Sequence, residues 1–155
     1  MADNWLPDVG WTAAHGSSDL SGLATGASVL STVVIPNQTS LDKLMDLSFA
    51  FTLAAPQTIP ANAYVVFWLA YLNQDGSTYG DGLMTPGTAY ATHTPLWPAC
   101  GSFNNFPAGS QTVLVGACPG IQIAPGALAL ITQQNIGFTL ASGSASGVAY
   151  RTYNP

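Results

Sequence analysis

The chain reads as an all-β protein: an antiparallel β-sandwich, jelly-roll or Ig-like, of seven to eight strands with an extended N-terminal arm. Three observations predict this. Apolar runs are short and either alternate or are rich in β-branched and aromatic residues. Pro, Gly and Asn clusters punctuate them. No segment holds a convincing long helical period, so sheet packed on sheet is the architecture left.

Residues 1–24 contain Trp5, Pro7 and Trp11 among Gly and Ser, with no sustained period. They read as an extended arm with aromatic anchors, able to reach about 80 Å at ~3.3 Å per residue. Folding back over its own domain is the plainer alternative for half of it. Residues 25–155 form the sandwich domain. "ASVLSTVVI" (27–35) is β-branched and stops at Pro36-Asn37. "TSLDKLM" (39–45) suits one helical turn capped by Thr39 or Ser40. In "DLSFAFTL" (46–53), Leu47, Phe49, Phe51 and Leu53 face one way and Ser48, Ala50 and Thr52 the other, as in a half-buried strand.

"AYVVFWLAYL" (63–72) is apolar on both faces. Tyr64, Val66, Trp68, Ala70 and Leu72 lie on one; Val65, Phe67, Leu69 and Tyr71 lie on the other. One face fills a core between sheets. The second must meet an arm, a loop or another subunit. "NQDGSTYGDG" (73–82) then offers Asp-Gly turn chemistry twice. Residues 83–110 form a long irregular loop with one short strand around Ala89–Thr92. "SQTVLVGA" (110–117), "GALALITQ" (126–133), "NIGFTLAS" (135–142) and "VAYRTY" (148–153) complete the strands.

Charge is the compositional oddity. Only 6% of residues are charged, all seven acids are Asp, and Lys43 and Arg151 are the only Lys or Arg. Typical domains carry about 25%. Nucleic acid and anionic membrane surfaces are poor partners for such a chain, since both need clustered cations. A neutral polar surface suits a protein packed against neighbours, where buried charge is costly. Adhesive and carbohydrate-binding domains share the composition. "MADNWLPDVGW" has no signal-peptide pattern, and no run reaches the ~18 apolar residues of a membrane span. Cys100 and Cys118 read as two buried thiols, with a disulfide as the alternative.

Catalytic chemistry is hard to find. His15 and His93 lack metal-ligand spacing. "GSASG" (143–147) has Ala145 where a nucleophile elbow needs Ser. Asp75 and Asp81 read as turn residues rather than Ca²⁺ ligands. The Asn37-Gln38-Thr39 sequon reads as chance. No catalytic residue, metal site or cofactor is expected. Trp68 reads as core. Trp5, Trp11, Trp97, Tyr71 and Tyr90 are the candidate interface residues, Trp97 foremost because Pro95 and Pro98 bracket its loop.

Several segments form a familiar set: "DLSGLATGASVLS", "PNQTSLDKLMDLSFAFTL", "LNQDGSTYGDG" after a long apolar strand, and the "LASG…AYRTYN" ending. Over residues 19–154 the pattern resembles small β-sandwich virion proteins of tailed bacteriophages, which decorate or cement capsids. Such relatives often carry basic residues where this chain has "ALALITQQN". The resemblance implies a non-enzymatic structural role and a partner in the major capsid protein. It also implies a homodimer or homotrimer, and a place on the virion capsid surface after assembly in the host cytoplasm. A phage tail or receptor-binding subunit and a carbohydrate-binding module are the competing expectations.

Overall fold

The computed structural model describes residues 10–75, 78–80, 84–91 and 99–154. Nine strands and no helix occur among them: β1 (Thr12–Ala13), β2 (Ser28–Leu30), β3 (Leu44–Thr58), β4 (Tyr64–Tyr71), β5 (Ala89–Tyr90), β6 (Gly101–Phe103), β7 (Ser110–Gln122), β8 (Leu128–Asn135) and β9 (Gly147–Tyr153). All pairings are antiparallel. One sheet has the order β1-β9-β3-β7 and the other β5-β2-β8-β4-β6. With the two-residue edge strand β5 set aside, the eight remaining strands run 1-8-3-6 and 2-7-4-5. That is jelly-roll order, two interleaved Greek keys. The Ig-like alternative keeps more sequential neighbours in one sheet.

The core follows from period-2 alternation. Leu47, Phe49, Phe51 and Leu53 of β3 point inward and meet Val65, Phe67 and Leu69 of β4 and Leu128 and Leu130 of β8. Phe49 is ringed by Phe51, Phe67, Phe103 and Phe106 at centroid distances of 4.8–6.5 Å. Gly116 sits under this cluster, where a Cβ would lie 2.6 Å from the Phe49 ring.

The other face of β4 finds its cover within the chain. Trp68 and Ala70 join Leu30, Ala129 and Ile131 in a second buried cluster with Tyr79, Met84 and Tyr90. The connection after β4 folds back, bridging Leu72 to Tyr79, and lays Tyr79 and Met84 over the sheet. Of the three expected covers, it is a loop.

Four sequence expectations change. The independent arm expected over residues 1–24 does not hold for residues 10–24. There β1 pairs with β9, and Ala14, Leu20 and Leu23 are buried between the sheets. Burying each leucine is worth about 1.5–3 kcal/mol, which favours docking over extension. The helical turn at 39–45 is absent. Fully buried Asn37 instead organises this loop. Its amide donates to Asp42 O (2.9 Å) and Ala124 O (3.0 Å), and its oxygen accepts from Asp42 N (2.7 Å) and Ser40 Oγ (3.0 Å). An asparagine so engaged offers no free amide to glycosylation.

The strand expected at 135–142 is instead the end of β8, a turn and one bridge, Leu53 to Leu140. Buried Gln134 shapes that turn, donating to Leu23 O and Phe138 O and accepting from Ile136 N. The irregular segment 83–110 contains the expected short strand at Ala89 and also β6, which its glycine disguised.

Candidate functional site: the outer face of the four-stranded sheet

Alternation that buries one side of β1, β9, β3 and β7 exposes the other. Their registers align Ala13, Ala149, Ser48 and Ala117 in one row across the sheet. Ala50 and Val115 sit opposite each other one step along. The side chains are small, so the middle is a shallow hollow of about 340 Å³ floored by Ala13, Ser48, Ala50, Gly147 and Ala149. Val113 and Val115 form a ridge along β7, 45% and 62% exposed. Trp11 stands at the opposite margin, 47% exposed.

One charged assembly closes the face. Asp46 accepts from Arg151 Nε (2.9 Å), Tyr153 Oη (3.1 Å) and the Gly120 amide (2.8 Å), and Arg151 Nη2 lies 2.8 Å away. The guanidinium also stacks on Trp11, 5.0 Å from the ring centroid. Burial pushes the Asp46 carboxyl up, but the hydrogen bonds from Gly120, Arg151 and Tyr153 outweigh it and hold the group below its ordinary range. The single arginine and the single acid of these four strands neutralise each other. The face is therefore broad, flat, apolar and without net charge.

A second polar group lies inside the sandwich. His15 Nε2 is 2.9 Å from Thr132 Oγ1, and Nδ1 is 3.4 Å from Asp19. Asp19 also accepts from the Gly16 and Thr32 amides and the Thr32 hydroxyl. Burial lowers the His15 pKa, and the Asp19 contact only partly opposes it. For Asp19 burial raises the pKa, but bonds from His15, Thr32 and Gly16 prevail and hold it well below the carboxylate range. A neutral imidazole with Nδ1–H toward Asp19 and Nε2 accepting from Thr132 fits both shifts. The order acid, imidazole, hydroxyl is that of a hydrolytic triad. Here, however, Thr132 is 0% exposed and His15 4%. A substrate has no approach to the hydroxyl, and the group ties residues 14–19 to β8 and to the segment after β2.

Of the expected interface residues, Trp5 and Trp97 lie outside the described residues, as do His93 and Asp81. Trp11 belongs to the exposed face. Tyr71 is partly buried against the core, and its hydroxyl accepts from the Ala124 amide at 2.8 Å, fastening a turn. Tyr90 packs on the outer cluster of the five-stranded sheet and accepts from the Thr85 amide at 2.8 Å. The structure brings neither Tyr71 nor Tyr90 to Trp11. Trp68 is core, as expected. Asp75 accepts from the Thr78 amide (2.9 Å) in its turn, the role expected of it. No group of three or more metal-ligating side chains occurs among the described residues.

Cys100 and Cys118 are free thiols. Burial pushes Cys100 up to about 12 and raises Cys118 as well, so both stay protonated and unreactive. Sequence reasoning missed the Val113–Val115 ridge, because it looked for aromatic anchors. The signal was present: two valines two residues apart on one face of a predicted strand.

Comparison with protein-family models, curated proteins and solved structures finds no match to this chain.

Proposed function

We propose that the chain is a structural virion protein that decorates a bacteriophage capsid and cements neighbouring major capsid protein subunits. The observation that carries this reading is the outer face of β1-β9-β3-β7. Its small side chains form a flat apolar surface whose one acid and one cation are already paired. Docking such a face onto another protein desolvates little charge, which is what makes a large interface inexpensive to form. Jelly-roll sandwiches are common in capsid proteins and also in lectins, so the fold supports the reading without deciding it. Weak contacts of this kind gain strength by repetition over a symmetric shell.

Copy number tests the proposal. Quantitative mass spectrometry of purified particles should give a ratio to the major capsid protein near one, or a simple fraction of it. A few copies per particle would assign the chain to a tail or vertex, and absence from particles would end the virion reading. On decorated particles, Ala149→Lys, in the middle of the face, should abolish attachment.

A second reading has its own observation. On the other sheet a hollow of about 360 Å³ is lined by exposed Tyr64 with Asn62, Ser102 and Asn104, an uncharged aromatic-and-amide surface of the sort that binds sugars. Glycan-array binding lost in Tyr64→Ala would favour it.

A further inference from the structure

The four-stranded sheet ends at β7, hydrogen-bonded to β3 along one side and to no strand among the described residues along the other. At its Cys118 end β7 is approached by β6 of the other sheet, where Cys118 Sγ lies 3.5 Å from Ser102 O. Natural proteins protect such an edge with charge, proline, a bulge or a cover, because its unpaired backbone groups template another strand. From Ser110 to Cys118, β7 has none of the first two. Its register with β3 is regular from Val113 to Cys118, and the irregularities fall on either side. On this same segment lie Val113 and Val115, two of the six exposed large hydrophobic residues among the described residues.

Charge argues for the identity of the partner. The chain carries a net charge of −5, which opposes self-association in general. Yet no Asp, Glu, Lys or Arg occurs from residue 82 to residue 150, so copies meeting at β7 bring no like charges along the strand into contact. An antiparallel strand is also its own complement about a twofold axis. With Val115 at the axis, Val113 of each copy faces Ala117 of the other. All three point to the outer face and would form one apolar ladder. The opposite edge of the sheet is β1, only two residues long, so the contact closes at two copies rather than propagating.

We propose that β7 pairs antiparallel with β7 of a second copy, joining two sandwiches through one continuous sheet. This holds whether or not the chain sits on a capsid. The test is the mass in solution of the full chain, by sedimentation equilibrium. Wild type should run at twice its 16.0 kDa. Val115→Lys should halve that mass, and Val113→Lys should do the same as a second variant. Ala149→Lys, two strands away, should leave the dimer intact. Hydrogen exchange on wild type should show the Val113–Ala117 amides gaining protection as concentration rises.

A wild-type monomer at the highest soluble concentration would overturn the proposal. So would a dimer that survives both lysine variants, or one lost in Ala149→Lys, which would move the contact to the sheet face. Unchanged exchange at Val113–Ala117 would overturn it without reference to any variant. Capsid attachment lost in Ala149→Lys with the dimer retained would separate this contact from the one proposed for decoration.

Discussion

The guanidinium of Arg151 lies 5.0 Å from the ring centroid of Trp11 while holding Asp46 at 2.8 Å, so one side chain of β9 joins β3 to the residue just before β1. The three contributions differ in weight. The arginine is nearly half exposed, so its ion pair is screened and worth at most ~1 kcal/mol. The Asp46 carboxylate is largely buried and also accepts from Gly120 and Tyr153, and bonds to a charged acceptor contribute about 1.5–3 kcal/mol.

Asp46→Ala should therefore cost about 2–3 kcal/mol, Arg151→Met less than ~1, and Trp11→Ala about 0.5–1. Urea unfolding of the three variants checks the order. An Arg151 variant as damaging as the Asp46 variant would show that the pair, not the backbone amide, dominates.

Acid should weaken the fold in two stages. His15 has its pKa lowered in the folded state, so the unfolded chain takes up a proton that the folded chain refuses. Stability is then full above about pH 7 and falls as pH drops through the unfolded value of ~6.5. The slope approaches ~1.4 kcal/mol per pH unit. Asp19 and Asp46 are depressed, so their contribution is present above about pH 4 and is lost below it. Urea midpoints from pH 8 to 3 report both limbs, and His15→Gln should remove the upper one. A flat profile between pH 7 and 5 in wild type would contradict a buried neutral imidazole.

Gly116 is required by its neighbours rather than by its backbone angles. A Cβ there meets Phe49 at 2.6 Å and Phe103 at 2.9 Å. Gly116→Ala should cost about 1–3 kcal/mol by overpacking. Adding Phe103→Leu should recover part of the loss if the ring is the obstacle, which a double-mutant cycle measures.

Asn37→Ala should cost about 1–3 kcal/mol, since it strands the partly buried carbonyls of Asp42 and Ala124 and removes the acceptor of the Asp42 amide. The slope of the urea transition should be unchanged, because the core is not touched. A loss below ~0.5 kcal/mol would mean that the loop re-forms without it.

Much of the architecture was legible because strands declare themselves locally. Leu47, Phe49, Phe51 and Leu53 alternate with smaller or polar residues, and that period is a property of extended backbone whatever it pairs with. Asn37 and Gln134 were not legible. A buried amide looks like a surface amide until the carbonyls it serves are brought in from residues 124 and 23. The candidate face was half legible: Trp11 was picked out by its side chain alone, while Ala13, Ser48 and Ala149 have no individual signal and matter only as one row.

By itself the sequence determined the all-β class, the core faces of β3 and β4, and the near-absence of charge. These depend on residue types and on a two-residue period within a few positions. Only the tertiary structure decided which strands are neighbours, what covers the second face of β4, and that β7 ends a sheet. Those depend on contacts between residues far apart in the chain, such as Leu47 with Tyr150 or Trp68 with Ile131. No local preference encodes them; they follow from packing all the apolar faces together at once.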